Sequence, residues 1–209
     1  MAKLSAKLKF HIIKSKKMYI FLIVILLIGL IFGSFFITLL TEDDKLMVTK
    51  QLTSFFNQIK LNKINYLQAL KNSLATNIIY IILIWLLGIS IIGIPIIIFI
   101  VFIKGFIIGF SIAAIIATYK LIGLIGAFSY IFPHLIISSF IIIIISCYAL
   151  YLAFDLFFSI IQKKSINFKY TINKYSLILL ISLIIMIIAS LIEVFLSPYL
   201  IKLFLMLVK

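Results

Sequence analysis

Long apolar stretches dominate the chain, and short polar segments interrupt them. The first stretch, residues 18–40, carries no charge and follows the lysine-rich segment 1–17. A membrane-spanning helix needs about 20 mostly apolar residues, so residues 18–40 predict a transmembrane anchor. A cleavable signal would have a shorter apolar region and a small-residue cleavage site, whereas the acidic run Glu42-Asp43-Asp44 follows here.

The number of spans depends on residues 77–132, whose length allows two spans or three short ones. Lysines are enriched in the cytoplasmic loops of membrane proteins, and lysine-rich segments occur at residues 1–17 and 163–174. If both are cytoplasmic, an even number of crossings lies between them. The sequence thus predicts an all-α, polytopic helical bundle with five transmembrane helices, a cytoplasmic N-terminus and a C-terminus outside. The spans are 18–40, 77–94, 96–118, 134–161 and 175–197, with 120–133 as an outer loop or re-entrant piece.

Residues 41–76 form the largest polar stretch, and their apolar residues recur at helical spacing. This pattern predicts two amphipathic helices outside the cytoplasm. Thr41 with Asp44 resembles an N-terminal capping box, and Asn62 is a candidate start for the second helix. These helices either lie on the outer lipid surface or pack on the spans, or they bind a partner, for which the aromatic pair Phe55 and Phe56 are the candidate contacts.

Composition supports the membrane assignment. Hydrophobic residues make up 66% of the 209 residues, against about 45–50% in soluble domains, which excludes a soluble enzyme domain. The net charge is +14, and every basic residue other than the two histidines is lysine. This pattern fits a topology signal better than nucleic-acid binding, for which arginine in a contiguous patch is expected. With no linker or repeat visible, residues 1–209 are predicted to form one integral membrane domain.

Residue patterns typical of catalysis are missing. We find no His-Glu-x-x-His metal motif, no Gly-x-Ser-x-Gly turn and no phosphate-binding loop in the sequence. Cys147 is the one cysteine, so an intrachain disulfide or thiolate metal cluster is excluded. We expect neither catalytic or metal-binding residues nor a cofactor.

Four ionisable residues lie in or near the apolar layer, where a charge costs about 2.5–3.5 kcal/mol on insertion scales. They are Lys104, His134, Asp155 and Glu193. In the predicted topology Lys104 and Asp155 lie toward the cytoplasmic ends of their helices, and His134 and Glu193 toward the outer ends. Two pairs are therefore predicted, an ion pair between Lys104 and Asp155 and a hydrogen bond between His134 and Glu193. Snorkelling to the interface is the alternative for Lys104 and His134.

Two backbone features stand out in the middle of the chain. Gly105 and Gly109 have the Gly-x-x-x-Gly spacing that lets membrane helices approach closely. Gly93-Ile94-Pro95 either closes a cytoplasmic turn or marks a broken helix of the kind found in transporter sites.

A set of segments in a fixed order resembles the stage II sporulation protein M family over nearly the whole chain. The segments are Asn77-Ile78-Ile79-Tyr80, Trp85-Leu86-Leu87-Gly88-Ile89-Ser90-Ile91-Ile92-Gly93-Ile94-Pro95, Lys104-Gly105-Phe106-Ile107-Ile108-Gly109-Phe110, Pro133, Ala189-Ser190-Leu191-Ile192-Glu193 and Ser197-Pro198.

This resemblance implies a non-enzymatic cell-membrane protein on the mother-cell side of the sporulation septum. It further implies a scaffold for peptidoglycan-degrading enzymes during forespore engulfment, with stage II sporulation proteins D and P as partners. The alternative from the residues themselves is a small transporter or channel-like component that uses Lys104, Asp155 and Glu193. A transporter's charges should converge on a midplane cavity, and a scaffold's should pair near the two membrane faces.

Overall fold

The protein is helical throughout the residues that the computed structural model describes, which are 2–131, 134–163 and 168–207. Within these residues there is no β-strand. A short 3₁₀ turn, Lys120–Ile122, joins α4 to α5. The helices are α1 Ala2–Leu39, α2 Glu42–Lys60, α3 Tyr66–Gly88, α4 Gly93–Tyr119, α5 Gly123–Ile131, α6 His134–Gln162, α7 Phe168–Phe195 and α8 Ser197–Leu207.

Five helical stretches of the described chain are long and apolar enough to cross a membrane. They comprise α1 from Lys16 onward, α3, α4 with α5, α6, and α7 with α8. Large apolar side chains also cover the outside of the bundle, as at Ile31 and Phe35 of α1, which are 64% and 60% exposed. Such a surface suits contact with lipid tails. The predicted all-α bundle with five spans is confirmed.

The third helix starts earlier and ends earlier than predicted. Its N-terminal cap is Asn65, whose side chain accepts a hydrogen bond from the Gln68 amide at 3.1 Å. Asn62 instead lies in the preceding loop with a left-handed φ of 56°, so its prediction as a helix start was wrong. The second predicted amphipathic helix is thus the first part of α3. Segment 41–76 contains one separate helix, α2, with Thr41 as its N-cap: Thr41 Oγ1 accepts from the Asp44 amide at 3.3 Å and donates to the Asp44 carboxylate at 2.7 Å.

The turn between α3 and α4 lies before Gly93-Ile94-Pro95 and not within it. Gly88 is the last residue of α3, and a Cβ there would overlap the Tyr175 side chain and Ala149, so glycine allows α6 and α7 to pack closely on this end of α3. The Tyr175 hydroxyl donates to the Trp85 carbonyl at 3.0 Å, which satisfies a carbonyl group in the last turn of α3. Pro95 falls in the first turn of α4, where proline is tolerated, and α4 continues unbroken to Tyr119. The broken-helix interpretation is therefore wrong.

Among the described residues, two buried clusters hold the helices together. The larger contains residues of α1, α3, α4, α6 and α7, including Leu22, Ile84, Val101, Ile145 and Met186. The smaller lies where α2, α5 and α8 cover one end of the bundle, and it is built around Phe56, Ile59, Ile115 and Phe204. We call this the capped end. Segment 120–133 was predicted to be an outer loop or a re-entrant piece. In its described part, up to residue 131, it contributes the helix α5 to the capped end.

The first helix packs chiefly on α4 through glycines on both helices. A Cβ at Gly105 or Gly109 would overlap the backbone carbonyl of Leu26 or Leu30 in α1. Gly29 and Gly33 of α1 meet the α4 backbone in the same way. The Ser34 hydroxyl also donates to the Gly109 carbonyl at 3.1 Å. The predicted small-residue contact surface of α4 thus faces a second Gly-x-x-x-Gly surface on α1.

Candidate functional site

Polar side chains from four spanning helices meet below the capped end, at the beginning of α3 and α6 and the end of α7. Most are buried within an otherwise apolar bundle. Since buried polar groups in a membrane protein are costly unless partnered, this group is the candidate site. We call it the polar cluster; it consists of Ser73, Asn77, Lys104, His134, Ser190, Glu193 and Ser197.

Glu193 is the central residue of the polar cluster. Its Oε2 accepts a hydrogen bond from the Ser73 hydroxyl at 2.6 Å. Its Oε1 lies 3.8 Å from Nε2 of His134, which is ion-pair range but too long for the predicted hydrogen bond. The structure therefore brings His134 and Glu193 together as expected, while Glu193 has its hydrogen bond with Ser73, a partner that the sequence analysis did not include.

Further hydrogen bonds join α3 to α7 and α6 to α8. Asn77 donates from Nδ2 to the Ser190 hydroxyl at 2.9 Å and to the Ser73 hydroxyl at 3.4 Å. The Ser197 hydroxyl lies 3.2 Å from Nδ1 of His134. The network fixes the rotation of these helices about their axes, because each bond needs one face of each helix to point inward.

The Lys104 side chain extends from α4 into the polar cluster. It does not pair with Asp155. Its side chain is 8% exposed, and Nζ lies 5.7 Å from the centroid of the Tyr80 ring, a cation–π contact. The carboxylate that acts on it electrostatically is Glu193. Asp155 is exposed and makes no ion pair with Lys104, so that predicted pair was wrong. Asp155 follows His134 by 21 positions of one helix, about 30 Å along the axis, which puts it far from the cluster.

A cleft of about 490 Å³ at the capped end leads to Glu193. It lies between α2, α3 and the junction of α7 with α8. Side-chain amides line much of it, with Phe55 at one side and Glu193 and Val194 from α7. The Glu193 side chain is 36% exposed. The polar cluster is thus connected to the surface at the capped end.

The two phenylalanines proposed as partner contacts have different environments. Phe55 is 45% exposed, whereas Phe56 is 1% exposed. The Phe56 ring packs against Tyr119 and Phe204 at centroid distances of 5.6 and 5.9 Å. Phe56 is therefore a core residue of the capped end, and its prediction as a contact residue was wrong. Adjacent residues of a helix point about 100° apart, so one side of α2 cannot expose both.

The serines and Asn77 of the polar cluster were missed, although the sequence holds a signal for them. Ser73, Asn77 and Tyr80 recur at helical spacing in α3, as do Ser190, Glu193 and Ser197 across the end of α7. Residues three, four or seven positions apart share a helix face. In an apolar span, a repeated polar face of this kind indicates contact with another polar face.

The five apolar helical stretches found in the described part of the chain define the protein as a multi-pass α-helical membrane protein. The sequence matches the family described as stage II sporulation protein M over residues 22–198. This match covers most of the chain, and the chain belongs to that family. It is therefore a sporulation-related membrane protein, and the resemblance drawn from its sequence segments is confirmed. No curated protein and no solved structure gives a significant match.

Proposed function

We propose that the protein is a non-enzymatic membrane scaffold for septal peptidoglycan-degrading enzymes during forespore engulfment. Its partners are then stage II sporulation proteins D and P, and it acts from the mother-cell side of the septum. Family membership supports the setting in sporulation. The structural observation that supports the scaffold role is the capped end.

The capped end forms a packed surface beyond the main bundle. Its helices α2, α5 and α8 share the core around Phe56 and Phe204, and Tyr119 packs edge-on against Phe204 at 5.4 Å. On its outside, Phe55 and Tyr199 are 45% and 67% exposed. Exposed aromatic side chains on a rigid support are typical anchors for protein partners, and this combination supports a docking role.

Recruitment gives the first test of the scaffold. Affinity capture of the protein from sporulating cells in mild detergent should co-purify stage II sporulation proteins D and P. Phe55→Ser should reduce this co-purification several-fold at normal membrane levels, because it removes an exposed aromatic anchor. Phe56→Ser should instead lower the membrane level itself, since it opens a cavity in the core of the capped end.

The matched control is Met47→Ser, which changes another exposed apolar residue of α2 about 12 Å away along the helix axis. It should leave capture unchanged. Absence of both hydrolase-complex proteins from the wild-type eluate would contradict the scaffold role. Equal capture by Phe55→Ser and wild type would remove Phe55 from the contact surface.

The proposed orientation puts the N-terminus in the cytoplasm and the capped end and C-terminus outside. The positive-inside bias supports it, because lysines concentrate in 1–17 and 163–174. Single cysteines at Lys16 and Lys163 in a Cys147→Ala background should resist a membrane-impermeant thiol reagent in intact cells. Cysteines at Asn57 and Tyr199 should react. All four positions are exposed, so solvent access within the protein does not limit labelling. If the cysteine at Lys163 reacted while the cysteine at Lys16 did not, the five-span topology would be wrong.

One observation favours a second candidate function, a small transporter or channel-like component. Lys104, His134 and Glu193 converge on one site, as expected for a transport pathway. Against this candidate, His134 begins α6 and Glu193 lies in the last turn of α7, so these two groups lie toward one end of the bundle, and Lys104 extends to them from the middle of α4. Proton or cation flux into liposomes that hold the purified protein, abolished by Glu193→Gln, would favour transport over the scaffold.

A further inference from the structure

The cleft at the capped end has walls rich in carboxamide groups. Gln58 comes from α2, and Asn65, Gln68 and Asn72 come from the beginning of α3. All are exposed, so their amide groups are accessible from the cleft. From Asn65 to Asn72 the α3 wall extends about 10 Å, the length of about three residues of an extended chain.

A carboxamide both donates and accepts hydrogen bonds. A row of such groups matches the N–H and C=O groups of an extended peptide, which must find partners when they leave water. A phospholipid headgroup is recognised chiefly through charge. Lys63 is the one cationic residue among the described residues that line the cleft, and the other polar side chains there are mostly carboxamides. The wall chemistry therefore favours a peptide over a lipid.

Glu193 supplies a negative charge at the α7 side of the cleft. Its Oε2 is occupied by the Ser73 hydroxyl. Among the described residues Oε1 has no hydrogen-bond donor, and its nearest ionisable neighbour, Nε2 of His134, is 3.8 Å away. With the side chain 36% exposed, Oε1 can accept a hydrogen bond from a cationic group that enters the cleft.

Apolar residues complete the cleft. Phe55 and Ile59 lie on the α2 side, and Val194 and Pro198 on the opposite side. They can bury the methylene stem of a lysine or arginine whose head reaches Glu193, since such side chains place the stem on apolar surface and the charge at a polar group.

We propose that this cleft binds an extended peptide segment of a partner protein, with a lysine or arginine of that segment paired to Glu193. The inference rests on the proposed scaffold function and names the chemistry by which the scaffold recognises a partner. The pair is charge-assisted and partly shielded from water, so it selects for the basic side chain, while the carboxamides bind the backbone of any sequence.

Peptide binding to the full-length protein in lipid nanodiscs tests this proposal. The probes are fluorescent overlapping peptides of twelve residues or so that cover the extracytoplasmic chains of stage II sporulation proteins D and P. Binding should be confined to peptides with a lysine or arginine near the middle. It should weaken about tenfold or more when that residue is changed to glutamine, and equally with the Glu193→Gln protein. Glu193→Gln keeps an acceptor for the Ser73 hydroxyl but removes the charge that acts on Lys104, so its thermal midpoint is measured in the same nanodiscs and binding is compared at a temperature at which both proteins are folded.

Blocking the cleft gives an independent variant with a matched control. Asn72→Arg introduces a large cation into the cleft and should abolish peptide binding. Asn57→Arg makes the same change at an exposed position of α2 that does not line the cleft, and it should bind like wild type. Equal binding by all three variants and wild type would overturn the cleft as a docking site. So would a bound phospholipid, detected by native mass spectrometry and lost in Asn72→Arg, without any peptide binding.

Co-capture of the full-length partners separates the two proposals. If wild type captures stage II sporulation proteins D and P, and Asn72→Arg and Glu193→Gln capture them equally well, the scaffold role stands and the cleft proposal fails. If wild type captures neither protein, both proposals fail.

Discussion

Changing Gly105 to leucine should remove most of the folded protein from the membrane. A Cβ at position 105 would overlap the carbonyl oxygen of Leu26 in α1, and that oxygen belongs to the backbone. A flexible side chain could move aside, but here the two helices must separate. Separation also breaks the contacts of Gly29 and Gly33 with the α4 backbone. Overpacking costs about 1–3 kcal/mol and occasionally more, a large part of an ordinary stability of about 5–15 kcal/mol.

The measurements are membrane abundance, the thermal midpoint in detergent and crosslinking between α1 and α4. Cysteines at Phe32 and Phe102, whose rings are 6.0 Å apart, should react with a short bifunctional thiol reagent in the wild-type background and much less with Gly105→Leu. The control is Ala117→Leu, a similar increase in size at an exposed position of α4. Normal abundance and crosslinking of Gly105→Leu would show that the α1–α4 contact does not depend on the glycines.

The fold class could be predicted because the bilayer imposes a strong constraint. A helix must be long and apolar to span it, and residues 18–40 and 134–161 satisfy this condition so clearly that the spanning part of α1, Lys16–Leu39, and α6 were placed within a few residues. The start of α3 could not be placed in this way. Its first turns carry Asn65, Gln68 and Asn72, and hydropathy alone assigns such residues to a separate surface helix.

The candidate site could be predicted only in part, for a geometric reason. Spacing indicates which end of a helix a residue occupies, and this was enough to bring His134 near Glu193. It does not fix helix rotation when a span is apolar on all sides. Lys104 was placed toward the cytoplasmic end with Asp155, but it is residue 12 of the 27 in α4, near the middle of the helix. From there its long side chain can extend toward either end, and its direction depends on which face of α4 points inward. In the folded protein, the glycines that pack α4 against α1 and the position of Tyr80 determine which face of α4 points inward.

Removing the Glu193 carboxylate should destabilise the protein more than removing any other charge of the spanning helices. Glu193→Leu leaves the buried Lys104 ammonium without its carboxylate and the Ser73 hydroxyl without its acceptor. Lys104 and Glu193 are not in direct ion-pair contact, so the cost should lie below that of a broken buried pair, about 3–5 kcal/mol, and near that of a lost hydrogen bond to a charged group, about 1.5–3 kcal/mol. Adding Lys104→Met should recover part of the loss, since the stranded charge is then absent.

Asp155→Leu is the matched control for this charge. It removes a carboxylate from α6, but Asp155 is exposed and far from Lys104, so its own effect should stay within about 0.5 kcal/mol. Combined with Lys104→Met, it should give the sum of the two single effects within about 0.5 kcal/mol. Membrane abundance, thermal midpoints in detergent and sporulation efficiency measure all five variants. One outcome would contradict the assignment of Lys104 to Glu193: Asp155→Leu restores the stability lost in Lys104→Met, while Lys104→Met does not restore the stability lost in Glu193→Leu. Lys104 would then pair with Asp155 in the cell. The polar cluster would then lose its cation.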